Sequence, residues 1–510
     1  MNSTLAPVGN QPQYEISNED RARHKRICAA WKAYEGDMPK PFDKMPNEPD
    51  MNVLSNRIVE IINTANEFLF GKELQISAEQ NAPDEAQKIL DDTWGRKEAR
   101  IPFLLRLGLN GAMSGNAFLR IVPGQEKKNP DGSKKLSLRL VEVDPSIVNV
   151  KTAPQDCQTV LIWCIEYCCD EKDPLDGKFH KIYYREEITC IDPESDDNQP
   201  YEDEDADGLD ADVTWQIQHW TQETSSGMAP KVGNWQPAGE PYIWPYPFPP
   251  IFSCQNLPRP NSFWGYPSVT DDLIGLNNAL NLIQSGINIE RKIRRILYAP
   301  GTGEGVMHVE PGKIVQLPLP EQKIEAVQAS SEIASDLQFA ANIRSDMDEQ
   351  SGIPGVATGR VDILPRGITG IAIEMLYGPA IKKMEKQRCT YGEMIINVSM
   401  AILIICNFSP DIDIDIAWES PLPVDDLPTV QAYVLLKSIG ISNTSVMRKL
   451  GYDPEEEFAL TQAEEAKMMA NNPLMQQMPP AMPGAPTLPG QQSAQQQSPL
   501  QGGSQQQQGV

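Results

Sequence analysis

Residues 261–293 read NSFWGYPSVTDDLIGLNNALNLIQSGINIERKI, and this stretch decides the fold. Leu273, Leu276, Leu280, Ile283 and Ile287 recur at alternating steps of three and four, which lines one face of a long helix. Ser268 with Asp271 three residues on reads as a capping box at its start, and Pro300-Gly301 breaks it at the far end. The last turn gathers Arg291, Lys292, Arg294 and Arg295. Such a cluster suits the negative end of a helix dipole, a local phosphate contact or an ion pair between subunits, and the sequence leaves these open.

Working toward the C-terminus, the period shifts to strands between Val306 and Val327, with Gly312 as the turn of a hairpin joining 306–310 to 313–317. Helix resumes from Ser331 to Gln350, with Ile333, Leu337, Ala340, Ile343 and Met347 in phase and Gly352 and Pro354 as stops. Two helices therefore flank a β excursion of about thirty residues. Residues 353–370, IPGVATGRVDILPRGITG, combine glycines, two prolines and two arginines without helical periodicity, and read as a loop with room to move. A very long helix follows, Ile371 to Cys406, in which Gly378-Pro379 predicts a kink. Its greasiest stretch, Met394 to Phe408, is too short and too interrupted to span a bilayer and reads as a buried helix. Asp411 to Trp418 alternates strictly as a strand, and shorter helices are expected at 429–439 and 444–450. From Asn471 to Val510 there is no charged residue, and Gln, Pro, Gly and Met dominate, which predicts disorder.

Toward the N-terminus the pattern is mixed. Leu54 to Phe70 is a helix stopped by Gly71, and a second runs from about Glu98 to Met113. Strands are then expected at 117–122, 136–143, 148–152, 160–168, 178–191 and 213–221, giving an α+β region with a meandering sheet. The first twenty residues lack a basic start followed by an apolar core, so no secretory signal is expected and the chain reads as cytosolic. Nine cysteines, an odd number, fit a reducing compartment, with most expected as free thiols in cores.

Across 510 residues there are 70 Asp+Glu against 44 Lys+Arg, a formal charge of −26. That excludes a protein whose whole surface grips nucleic acid or anionic membrane. No phosphate-binding G-x-x-x-x-G-K-[ST] loop is present, since Gly71-Lys72, Gly177-Lys178 and Gly312-Lys313 are each followed by the wrong residue. Asp203, Asp205, Asp207 and Gly208 match positions one, three, five and six of a calcium loop, but position twelve is Thr214. The acidic run 194–212 is therefore either a solvated loop or a Ca or Mg site of looser design. Cys157, Cys164, Cys168, Cys169 and His180 cluster without the paired spacing of a zinc site. The tryptophans at 215, 220, 235 and 244 sit among prolines and little basic charge, so packing is expected before base stacking. The four histidines, 24, 180, 219 and 308, belong to no catalytic motif.

The order of these elements resembles the tailed-bacteriophage portal protein family. The residues that carry the resemblance are NRIVEIINTANEFLFG (56–71), the stretch 261–293 quoted above, residues 350–370 and ISNTSVMRKLGYDP (441–454). The resemblance implies a partly flexible N-terminal arm (1–50), an α+β wing (51–265), stem helices at 266–297 and 331–352, and a β-containing clip at 298–330. It further implies a tunnel loop (353–370), a long kinked wing helix with its strand (371–420), a helical crown (421–470) and a disordered tail (471–510). The implied protein is a non-enzymatic homo-oligomeric ring, usually of twelve, at one capsid vertex of the virion, without cofactor or membrane, assembled in the host cytoplasm. Double-stranded DNA would pass through it, and its partners would be the terminase large subunit, the head-completion adaptor, and major capsid and scaffolding proteins. On that reading Arg360, Arg366, Lys382 and Lys383 are expected as DNA-channel contacts, with pairing to acidic neighbours between subunits as the alternative for the arginines and the lysines alike. A metal-dependent hydrolase using the acidic run, or a non-portal virion component, would be the competing functions.

Overall fold

The computed structural model describes residues 11–44, 49–79, 82–95, 97–128, 134–172, 179–191, 213–224, 234–293, 297–298, 325–326, 333–360, 370–410 and 412–421. All lie in one unit, Met1–Leu422. The first element, α1 (Asn18–Glu35), opens on a capping box in which the Ser17 hydroxyl accepts the Asp20 amide and the Asp20 carboxylate accepts the Ser17 amide. It closes on Gly36 in the left-handed region at φ 83°. Arg23 on its inner face is buried, donating to Val148 O at 2.7 Å and Asn149 Oδ1 at 2.8 Å while lying 3.6 Å over the Trp264 ring. Ahead of α1 the chain is clamped to the sheet, because the two oxygens of the buried Glu187 accept the amides of Gln13 and Tyr14.

Next come α2 (Arg57–Phe70), β1 (Leu74–Ala78), α3 (Asp84–Trp94) and α4 (Lys97–Ser114). In α2 the expected helix is found, with Ile58, Ile61, Ile62 and Leu69 buried and Gly71 at its end. Strands β2 (Asn116–Lys128) and β3 (Lys134–Val143) follow, then a 3₁₀ turn, and then β4 (Val148–Thr152), β5 (Val160–Lys172), β6 (Phe179–Ile191) and β7 (Thr214–Thr224). Short strands β8 (Gln236–Pro237), β9 (Tyr242–Trp244) and β10 (Ile251–Gln255) complete the region. The strands divide between two antiparallel sheets, β10-β2-β3 and β4-β5-β6-β7-β8 with β9 also on β7, where the strand spacing predicts a single meander. The break falls at the 3₁₀ turn Pro145–Ile147: Asp144 caps it through the Ser146 amide, Pro145 offers no donor, and β10 returns to take the edge of β2.

The helix predicted from residues 261–293 is α5 (Asp271–Ile293). Its cap is Thr270, whose hydroxyl accepts the Leu273 amide, and not Ser268. Ser268 is held one step earlier, its amide on Ala112 O and its hydroxyl accepting from Asn256 Nδ2. Antiparallel strands β11 (Leu297–Tyr298) and β12 (Glu325–Ala326) lie between α5 and α6 (Ile333–Ser351). Along α6, Ala340, Ile343 and Met347 are buried as the spacing predicts, but Leu337 is 52% exposed. The expected strands at 306–310 and 313–317, the helices at 429–439 and 444–450, and the tail 471–510 lie outside the described residues.

Helix α7 (Gly370–Ile405) runs unbroken through Pro379, and β13 (Ile414–Trp418) pairs antiparallel with β1. Within α7 the segment Met375–Ile405 is long and apolar enough to cross a membrane, yet its apolar side is used inside the protein. Tyr391, Met394, Ile395, Val398 and Ile402 are buried against Phe70, Leu104, Leu107 and Phe118 in the main core. Burying each large apolar side chain contributes about 1.5–3 kcal/mol, so this helix is central to stability. A second core joins α1, α2, α5 and α6 through Ile58, Ile61, Leu273, Leu280, Ile343 and Met347. All nine cysteines are free thiols, but only Cys164, Cys190 and Cys254 are buried, fewer than expected.

Candidate functional site

The helices that the sequence singled out are anchored by polar side chains which a periodicity reading assigns to solvent. The chain enters α5 through a crossing of two glycines: a Cβ on Gly115, at φ 93°, would stand 2.4 Å from Gly265 O, so the backbones meet where no side chain fits. Asn116 takes the Gly265 amide at 2.8 Å, and Asn256, fully buried, donates to Tyr266 O and Ser268 Oγ while accepting from Gln387 of α7 at 2.7 Å. The start of α5 is thereby tied both to β2 and to α7.

Along α5, Asn277, Asn281 and Ser285 are each fully buried and face the segment 51–56 and the first residue of α2. Asn277 Oδ1 accepts the Arg57 amide at 3.1 Å, Asn281 Oδ1 the Ser55 amide at 2.8 Å, and Ser285 Oγ the Val53 amide at 2.9 Å. Asn288 Nδ2 donates to Met51 O at 2.9 Å. Four residues of helix advance about 6 Å and two residues of extended chain about 6.6 Å, so a helix step of four keeps pace with a strand step of two. The side chains of α5 thus satisfy alternate backbone groups of 51–57 as a neighbouring strand would.

The C-terminal turn of α6 is the meeting point of three cations from three elements. Asp348 accepts from Arg57 Nη2 at 2.6 Å and from Arg360 Nη1 at 3.1 Å. Ser351 O, among the unpaired carbonyls of the helix end, accepts from Lys383 Nζ of α7 at 3.0 Å. Burial pulls the Lys383 ammonium from 10.5 down to about 8. Residues 354–360 fold into consecutive turns, with Ala357 N on Pro354 O, Gly359 N on Val356 O and Arg360 N on Gly355 O, and Ile353 is buried beneath them. The described half of the stretch expected to move freely is therefore folded and fastened.

Of the expected DNA contacts, Arg360 is engaged by Asp348, Lys383 by Ser351 O, and Lys382 is exposed on α7; Arg366 lies outside the described residues. Of the basic cluster, Arg291 is exposed in the last turn of α5, Lys292 belongs to that helix, and Arg294 and Arg295 lie outside the described residues. Asp203, Asp205 and Asp207 also lie outside, and among the described residues no group of three or more His, Cys, Asp or Glu could hold a metal. The tryptophans at 215, 220, 235 and 244 are buried, Trp235 beneath the Arg185 guanidinium at 4.5 Å. Sequence reasoning missed Asp348 and Arg57, neither of which it singled out, although Asp348 sits one residue past the apolar Met347. It also missed α1, whose Ser17-x-x-Asp20 start was a legible capping signal.

The family model described as phage portal protein, SPP1 Gp6-like, matches residues 14–470. The chain belongs to that family, and with it to the structural proteins of the phage virion: an oligomer at the capsid vertex that handles DNA. Among curated proteins, none matches the chain.

Proposed function

We propose that copies of this chain close into a ring, usually of twelve, that forms the channel at one capsid vertex through which double-stranded DNA is packaged and later ejected. The observation that carries this reading is the family match over residues 14–470 together with the element order α5, β11, β12, α6, folded turn, α7. In it residues 51–265 are the wing, α5 and α6 the stem, the segment between them the clip, 353–370 the tunnel loop, and 421–470 the crown. The terminase large subunit docks first and the head-completion adaptor later, after assembly with major capsid and scaffolding proteins in the host cytoplasm.

The electrostatics support passage over grip. Twelve copies carry a formal charge of about −310, and a lining of that sign repels phosphate and lets a duplex slide. Within such a field a few cations suffice for transient contact, and Lys382, Arg366 and Arg360 are the proposed ones. Native mass spectrometry with negative-stain imaging down the axis tests the ring: a closed assembly of about twelve with a hole of roughly 20 Å is expected, wide enough for a duplex. A chain that stays monomeric or dimeric even with its scaffolding protein refutes the reading. Replacing Arg360 and Arg366 by alanine is expected to leave the ring intact and change the yield of packaged DNA.

A further inference from the structure

The carboxylate of Asp348 has two guanidinium partners that differ in one decisive respect. Arg57 is buried, its side chain 8% exposed, and meets Asp348 at 2.6 Å; Arg360 is 27% exposed and meets the other oxygen at 3.1 Å. Removing Arg57 would strip Asp348 of its short, buried bond and leave it only the partly exposed Arg360, which is the costlier loss. Removing Arg360 leaves Asp348 still paired, and a partly exposed ion pair is worth little once water and salt screen it. Arg360 is also the last described residue of the folded turn 354–360, whose amide bonds to Gly355 O.

We propose that Asp348 is a positioning residue that parks Arg360, and that the backbone phosphate of duplex DNA competes with it for the guanidinium. Arg57 is the permanent partner and Arg360 the exchangeable one. In the parked state Arg360 holds the turn 354–360 against α6; with phosphate bound, the turn loosens while α6 stays docked through Arg57 and through Lys383 on Ser351 O. The exchange is a choice between two anions for one cation. The phosphate half of this proposal rests on the channel reading above, whereas the parking half does not.

The test is hydrogen exchange on the full-length protein, alone and with a duplex of about 30 base pairs at low salt. Arg360→Ala without DNA is expected to speed exchange at Gly359 and residue 360 by about tenfold or more while residues 343–351 of α6 keep their protection. Unchanged exchange in the turn, or opening of α6 with it, overturns the parking role. Adding duplex to the wild type is expected to loosen the same amides. Arg360→Ala is expected to reduce the slope of log affinity against log salt by about one for each phosphate no longer neutralised. An unchanged slope overturns the phosphate exchange. Asp348→Asn keeps an acceptor for Arg57 but releases Arg360, so duplex affinity is expected to rise several-fold; a fall in a folded variant overturns the competition. If that variant does not fold, the Arg360→Ala measurements decide. A ring lacking an axial hole would sink the channel reading and the phosphate half with it, and leave the parking role standing.

Discussion

Replacing Asn281 by alanine should release the segment 51–57 from α5 without unfolding the helix. Asn281 is fully buried and supplies the acceptor for the Ser55 amide at 2.8 Å, between Asn277 on Arg57 and Ser285 on Val53. A donor left without an acceptor in a dry site costs about 1–3 kcal/mol, and Ser55 is partly exposed, so water recovers part of that and about 1–2 kcal/mol remains. That corresponds to exchange roughly 5–30-fold faster in the released segment. The assay is amide hydrogen exchange on peptides covering 49–57, with Leu282→Ala as control, because Leu282 is the next residue on α5 but is 48% exposed and outside the ladder. Acceleration should appear at Val53, Ser55 and Arg57 and be absent from 339–351. Exchange within about twofold of wild type, or an equal effect from Leu282→Ala, would refute the idea that α5 side chains stand in for a strand.

Other consequences rest on individual side chains. A Cβ on Gly111 would lie 1.9 Å from the Tyr391 hydroxyl, so Gly111→Ala should lower the melting temperature by an amount equivalent to about 2–3 kcal/mol. That hydroxyl is buried with no hydrogen-bond partner among the described residues, so Tyr391→Phe alone should be neutral or stabilise by about 1 kcal/mol and should relieve the Gly111→Ala clash, which a double-mutant cycle of melts would read as strong coupling. Lys383, lowered by burial from 10.5 to about 8, binds its proton less tightly folded than unfolded, so its contribution to stability rises as pH climbs from 8 to 10.5. The rise is bounded at about 3 kcal/mol and should vanish in Lys383→Met, measured as the difference between the two denaturation profiles. Arg23→Met should cost about 3–5 kcal/mol in a denaturant midpoint series, since Val148 O and Asn149 Oδ1 lose their donor and Asp20 its buried partner.

Much of the secondary structure was legible because it is written in consecutive residues. The seam of α5, the buried face of α2, and strands β4 and β13 follow from steps of 3.6 or 2, and those periods survive whatever the chain packs against. Boundaries and partners were less so. Thr270 and Ser268 are both competent caps, and only the bond from the Ser268 amide to Ala112 O shows that the helix has not begun there. The strands were found, but their division between two sheets depends on β10 reaching β2 across more than a hundred residues. The candidate site was the least readable part. Arg360 was identified as a cation on a loop, yet its partner Asp348 lies on the preceding helix among other acids of equal promise.

From the residues alone came the mixed α+β class, the long helices either side of a β excursion, the acidic charge that disfavours a gripping surface, and the family that the order of elements resembles. Folding decided which polar groups are buried. Asn277, Asn281 and Ser285 look like an exposed stripe, and become a backbone ladder because residues more than two hundred positions upstream arrive to use them. It decided likewise that Arg360 starts from a carboxylate and that α7 buries its apolar surface in the core. The physical reason is common to these cases: periodicity is a property of one segment, whereas a buried polar atom or a shared charge is stable only when a distant partner offsets its desolvation.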